Sequence, residues 1–245
     1  MLRKTAFYFT ILSLFLASCA PSGNQERKYD TTAIENLDKM SEKIGELSSC
    51  SYTLNVNLNK LNDAGELSNF SNTNDVYMQA PDKFYMHSVG TKGKKSFWYN
   101  GSRFSYFSFE KNSFDTLSVQ GNILEAMDFL HHKFGLDFPA ADFFYPSLTD
   151  DIMDNYYEVL SLNDENIEGV DYLLIQALNK EKSMEIWMEK DTYLPYMLSV
   201  ISLDDSGISY EAIFSNWRVD PQLSDMLFDY EPAENTNREL LNAKK

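Results

Sequence analysis

Tyr52-Thr53-Leu54-Asn55-Val56-Asn57-Leu58-Asn59 is the stretch on which the fold turns. Apolar and polar side chains alternate strictly, and only an extended strand collects that period on one buried face and one wet face. Downstream the pattern repeats. Asp63-Ala64-Gly65 turns the chain into a second strand ending near Met78, and Pro81-Asp82 leads into residues 84–89. Thr91-Lys92-Gly93 precedes a strand over residues 95–99. Asn100-Gly101 signals a hairpin, since both residues tolerate positive φ at low cost, and strands over 103–110 and 115–119 follow.

The period then breaks. Asn122 is placed to cap a helix with Glu125 completing a capping box, and Gly135 stops it. Ile123, Met127, Leu130 and Phe134 give that helix its apolar stripe, and Pro139 opens a second short helix carrying Phe143 and Phe144, which Pro146 ends. The meander resumes over residues 156–162, 170–178, 184–189, 196–203 and 208–217. Upstream, Ile34, Leu37, Met40, Ile44 and Leu47 recur at helical spacing within 31–48, with Thr32 and Glu35 as a capping box. The expected class is therefore mainly β (α+β), with about eleven antiparallel strands in two blocks. So wide an up-and-down sheet curls, which predicts an incomplete barrel with the insertion 121–146 as a helical lid.

The N-terminus reads differently. Arg3 and Lys4 precede an apolar stretch over residues 6–16 that is too short to span a bilayer and has the layout of a secretory signal. It ends in Leu16-Ala17-Ser18-Cys19, which resembles a lipobox, so Cys19 is the expected lipidation site. The expected domains are a lipoprotein signal peptide (1–18), a lipidated tether (19–29), one half-barrel domain (30–235) and a flexible C-terminal tail (236–245). With Cys19 acylated, Cys50 has no disulfide partner, and a Cys19–Cys50 bridge is the alternative. Ala20 after the cysteine, with no acidic run following, resembles outer-membrane lipoproteins facing the periplasm. That puts the chain in the cell envelope, held to the membrane by its N-terminal lipid.

The chain carries 37 acidic against 21 basic side chains, a net charge of −16. Losing residues 1–18 removes two positive charges and no negative one, leaving −18. Nucleic acid is excluded as a partner on that balance. Catalytic motifs are missing: there is no Gly-x-Ser-x-Gly, no phosphate-cradling glycine loop and no His-Glu-x-x-His. His131 and His132 are adjacent on a helix and point about 100° apart, a poor geometry for one metal ion. Asp150-Asp151 and Asp204-Asp205 read as turn residues on a solvated acidic surface. No catalytic residue, metal or cofactor is expected.

What remains is apolar. Phe84, Met86, Phe104, Tyr106, Met184, Ile186, Met188, Leu198 and Val200 share one face of the sheet, and methionine suits surfaces that accept varied apolar shapes. Met127, Leu130, Phe134, Phe138 and Phe143 of the insertion are positioned to close over them. The plain alternative is that these side chains fill the interior as packed core.

Trp98-Tyr99-Asn100-Gly101, the run Phe134-Gly135-Leu136-Asp137-Phe138-Pro139-Ala140-Ala141-Asp142, Ile186-Trp187-Met188-Glu189, Leu194-Pro195 and Phe214-Ser215-Asn216-Trp217 occur in an order that resembles an uncharacterised family of predicted periplasmic proteins, domain of unknown function 2092. That family is similar in fold to the LolA and LolB lipoprotein carriers. The resemblance implies an incomplete barrel and helical lid around a cavity for acyl chains, and it supplies no catalytic or binding residues. The leading expectation is a non-enzymatic protein binding a lipid or lipidated protein. The alternative is a protein-interaction or envelope-stress sensor module with a filled barrel.

Overall fold

The computed structural model describes residues 26–244. The expected signal peptide, the lipidation site Cys19 and most of the tether lie outside them. The elements run β1 (Lys28–Tyr29), α1 (Thr31–Gly45), β2 (Ser49–Leu61), β3 (Leu67–Gln79), β4 (Lys83–Gly90), β5 (Gly93–Asn100), β6 (Arg103–Ser108) and β7 (Ser113–Ser118). Then come α2 (Ile123–Phe134), a 3-10 turn (Ala141–Phe144), α3 (Leu148–Asn155), β8 (Glu158–Ser161), β9 (Glu165–Ile167) and β10 (Val170–Leu178). The chain continues through β11 (Lys182–Glu189), β12 (Pro195–Ser202), β13 (Ser209–Val219), a 3-10 turn (Asp225–Phe228) and β14 (Asn237–Arg238).

All fourteen strands belong to one curled, unclosed sheet in the order β1-β8-β10-β11-β12-β13-β2-β3-β4-β5-β6-β7-β14, with β9 on β10. The two meanders join through β13 and β2, so the free edges lie at β8 and β7, each extended by a short outer strand. That topology dictates the lid. The chain leaves one edge after β7 and must reach the other edge at β8, so the intervening α2, 3-10 turn and α3 lie across the concave face.

The sheet is mixed rather than purely antiparallel. β1 pairs parallel to β8 and β14 parallel to β7, two-residue pairings that no period-two pattern announces. Within the meanders the expected turns form. Gly101 takes φ +89°, while Asn100 instead spends its side chain, Oδ1 accepting from the Arg103 N–H at 2.9 Å. That positive φ is what asks for glycine, and a Cβ there would also push aside the Asp82 carboxylate, 2.3 Å away.

Helix α2 carries the expected cap: Asn122 Oδ1 accepts from the Glu125 N–H at 3.0 Å, and Glu125 Oε2 accepts from the Asn122 N–H at 2.8 Å. Gly135 closes it at φ +68°. The first helix is corrected in two respects. Asp30 caps it, accepting from the Thr32 N–H at 2.8 Å, and it ends at Gly45. A carboxylate two residues earlier serves the orphan N–H groups in place of the Thr32 hydroxyl. Asp150 and Asp151 are also corrected: they occupy the first turn of α3, where negative charge meets the positive end of the helix dipole.

The core sits between the concave face and these helices. Helix α1 buries Ala33, Leu37, Met40 and Ile44 and packs against β8, α3 and the first 3-10 turn. The final residues, expected as a tail, carry β14, and Leu241 packs against the core.

Candidate functional site

Cross-strand register arranges the concave face in rows. One row runs Ala177, Met184, Val200, Tyr210, Leu58 and Phe70 across β10 to β3. The next runs Ile175, Ile186, Leu198, Ala212 and Val56, then changes character to Asn72, Gly90 and Gly93. A third begins with Phe214 and Leu54 and continues as Asn74, Ser88, Lys95 and Ser108. The last two, Tyr52-Val76-Met86-Phe97-Tyr106 and Cys50-Met78-Phe84-Tyr99-Phe104, are apolar throughout but for the ends of their side chains.

The lid meets residues of the last two rows, and Phe214 of the third, tightly. The Phe138 ring packs edge-on against Phe84 at 5.5 Å and Phe97 at 6.2 Å, while Phe143 meets Phe214 at 5.6 Å and Phe144 stacks on Tyr52 at 6.0 Å. Elsewhere it stands off, from Met184, Val200 and Tyr210 of the first row to Met86 and Phe97 of the fourth. Between lid and sheet there a cavity of about 1180 Å³ remains. Small-molecule sites run to roughly 300–1,000 Å³, so the space is generous by that measure.

The expected site residues divide between these regions. Met86, Met184, Ile186, Leu198 and Val200 of the sheet line the cavity, as do Met127, Phe138 and Phe143 of the lid. Phe84, Phe104, Leu130 and Met188 do not: each is fully buried in packed core. Tyr106 and Phe134 are partly buried and pack against that core. Strand parity put all the sheet residues on the correct face, but it carries no information on where along a strand the lid lifts away.

Polar wall residues were missed. Asn72, Asn74, Ser88 and Lys95 line the cavity alongside the apolar set. Asn74 is fully buried and donates to the Leu54 carbonyl at 3.2 Å; Asn72 donates to Asn74 Oδ1 at 2.8 Å and Ser88 Oγ at 3.4 Å. Burial pulls the Lys95 ammonium down from its ordinary value, Lys92 adds to the fall, Glu110 opposes it and Lys111 contributes last. The usable signal was parity: Asn72 and Asn74 share the inward phase of Val76 and Met78.

The two adjacent histidines of α2 lie against backbone carbonyls. His132 Nδ1 lies 2.8 Å from the Asp128 carbonyl, and His131 Nδ1 lies 3.2 Å from the Leu136 carbonyl and 3.3 Å from Asp137. Among the described residues no group of three or more His, Cys, Asp or Glu side chains is placed to hold a metal ion, and no helix is long and apolar enough to cross a membrane.

Several solved structures resemble the chain at a distance. An uncharacterized conserved protein from Thermus thermophilus shares 10% identity at a TM-score of 0.49, covering 85% of this chain and 98% of its own. The Mycobacterium tuberculosis lipoprotein LppX shares 13% at a TM-score of 0.47, covering 79% of this chain and 98% of its own. A LolA superfamily protein from Nitrosomonas europaea shares 11% at a TM-score of 0.36, covering 81% and 97% respectively. No curated protein matches. The family model described as "Predicted periplasmic protein (DUF2092)" matches residues 33–238, nearly the whole described domain. The chain belongs to the DUF2092 family of predicted periplasmic proteins.

Proposed function

We propose that this protein is a non-enzymatic, lipid-anchored envelope protein that holds a hydrophobic ligand, a lipid or the acyl chains of a lipidated protein, in its lidded half-barrel. The observation carrying this reading is the cavity of about 1180 Å³ between the curled sheet and its lid. Its apolar wall is built from Met184 and Ile186 of β11 and Leu198 and Val200 of β12, with Met127 above. Apolar space of this kind takes up acyl chains at about 0.8 kcal/mol for each CH₂ removed from water. The thioethers adapt to chains of different curvature without a fixed geometry.

The open interior weighs against the filled-barrel sensor alternative. A membrane anchor at Cys19 with a tether reaching roughly 30 Å limits travel, so the reading is a receptor or acceptor at the outer membrane rather than a shuttle. The test is native mass spectrometry of an exported Cys19→Ala protein, followed by organic extraction. Co-purifying lipid is the expected result. An apo mass that stays unchanged after incubation with lipid vesicles overturns the reading.

A further inference from the structure

Two rows of the concave face switch chemistry at the same boundary. From β10 to β2 they present Ile175, Ile186, Leu198, Ala212 and Val56, and then Phe214 and Leu54. From β3 to β5 the same rows present Asn72 and Asn74, then Gly90 and Ser88, then Gly93 and Lys95. A ligand lying across these rows meets hydrocarbon on one side and amide, hydroxyl and ammonium on the other.

The ammonium groups at the polar wall are not committed to partners. Lys95 is half-buried, Lys92 lies beside it on the turn before β5, and both line the cavity. Neither belongs to any ion pair among the described residues, and Lys92 rests over the Phe70 ring at 4.9 Å. Glu110, on the turn after β6, is the carboxylate that acts on Lys95, and it already accepts from the Lys94 N–H. Of the acidic side chains that line the cavity, Glu181 stands on the turn before β11 and Asp151 accepts from Ser147 Oγ at 2.8 Å. Asp128 accepts from Tyr145 Oη at 2.5 Å, and Asp137 lies 3.3 Å from His131. Asp142 acts on Tyr210 of β13, four strands from β5, which is roughly 19 Å along the sheet. In a chain of net charge −16, two unpaired lysines beside an amide pair on an inward wall form a local positive site.

From this asymmetry, and resting on the lipid-binding reading above, we infer that the cavity selects lipids with an anionic headgroup, seating the headgroup against Lys92, Lys95, Asn72 and Ser88 and the acyl chains against β11 and β12. An anion brought to a half-buried ammonium gains a charge-assisted hydrogen bond in a medium that screens it less than bulk water does. The Asn72 and Asn74 amides bond to one another, to Ser88 and to the Leu54 carbonyl, and bring no charge of their own.

The experiment incubates the exported protein with vesicles of equimolar phosphatidylcholine and phosphatidylglycerol bearing identical acyl chains. The protein is then re-isolated and its lipid identified by mass spectrometry. Phosphatidylglycerol is expected to be enriched about tenfold in the bound fraction, a difference of about 1.4 kcal/mol. Lys92→Met together with Lys95→Met removes charge while keeping side-chain length. It is expected to abolish the enrichment, whereas Lys95→Arg retains it. Equal retention of both lipids by the wild type, or an unchanged preference in the double variant, overturns the inference and leaves the cavity reading standing. Inorganic phosphate that displaces the bound lipid overturns it in favour of a small-anion site. Failure to retain either lipid overturns the inference and the cavity reading together.

Discussion

Arg238 Nε donates to Asp115 Oδ1 at 3.4 Å, and three residues later the Leu241 N–H donates to Asp115 Oδ2 at 2.8 Å. Asp115 is 1% exposed and stands at the β7 end of the row that begins with Tyr52. The C-terminal segment thus brings two donors to a carboxylate that water does not reach. It also ties the sheet edge to the lid, since the Lys244 N–H donates to the Lys133 carbonyl of α2 at 2.8 Å. Removing residues 236–245 leaves Asp115 with the Thr116 N–H at 2.8 Å as its remaining donor. An under-satisfied buried carboxylate and the lost Leu241 contact together cost about 2–4 kcal/mol. The truncated protein is expected to melt roughly 5–10 °C lower by calorimetry. Adding Asp115→Asn to the truncation is expected to recover part of the loss, because a neutral amide is cheaper to bury than a carboxylate. An unchanged melting temperature in the truncated protein would establish the segment as a free tail.

The boundary between packed core and open cavity predicts unequal costs for similar truncations. Phe84 is fully buried, with its ring centroid 5.6 Å from Tyr99, 6.4 Å from Phe104 and 5.5 Å from Phe138. Phe84→Ala removes atoms that have partners on every side and is expected to cost about 3–5 kcal/mol in urea unfolding. Val200 faces the cavity, so part of its surface already lacks contacts, and Val200→Ala is expected to cost less than about 1 kcal/mol. Val200→Phe places a ring in open space rather than in filled volume. It is expected to leave stability within about 1 kcal/mol of the wild type while lowering the amount of lipid bound. A steep destabilisation by Val200→Phe would mean that the space around it is already filled.

Those residues also mark how far the sequence could be read. Tyr52 to Asn59 alternate because one face of β2 is buried for its whole inner half, so periodicity located the strand and its inward residues together. Asn122, Glu125 and Gly135 act through bonds within a few residues of each other, and that locality made α2 legible at both ends. Strands β1, β9 and β14 are too short to carry a period, and β1 and β14 exist because distant edges accept them. Helix α3 was hidden because Pro146 suggested an end, and the next apolar residues, Leu148 and Ile152, are a single helical pair. Met188 and Ile186 are two positions apart on the same face, yet one is core and the other cavity wall. That difference depends on the height of the lid, which is a property of the insertion and not of β11.

Cys50 sits at the start of β2, 2% exposed. Burial pushes its thiol up to about 12, with the negative charge of Asp220 adding to the rise. Since the thiolate is the reactive form, the folded protein is expected to resist alkylation at this position at neutral pH. Mass spectrometry after iodoacetamide treatment should find Cys50 modified only when denaturant is present. Rapid labelling of the native protein would show that the β2 entrance opens to solvent.

The surroundings of His87 give stability a dependence on pH below 6.5. The side chain lies on the convex face with Nδ1 2.7 Å from Ser96 Oγ and its ring edge-on to Phe109 at 5.5 Å. Burial lowers its pKa from the ordinary 6.5, Lys94 lowers it further, and Asp75, its cross-strand partner on β3, pulls the other way. Between the folded pKa and 6.5 the unfolded chain therefore binds more protons than the folded one, so stability rises with pH across that window. The contribution of His87 is fully present above 6.5 and is lost as pH falls through the folded pKa. Heteronuclear NMR titration is expected to find His87 below 6.5, with Lys94→Ala moving its midpoint up and Asp75→Ala moving it down. His87→Gln, which keeps a polar side chain beside Ser96, is expected to flatten the stability profile below pH 6.5 relative to the wild type. A midpoint at or above 6.5 in the folded protein would contradict the burial of this ring and remove the acid-side loss assigned to it.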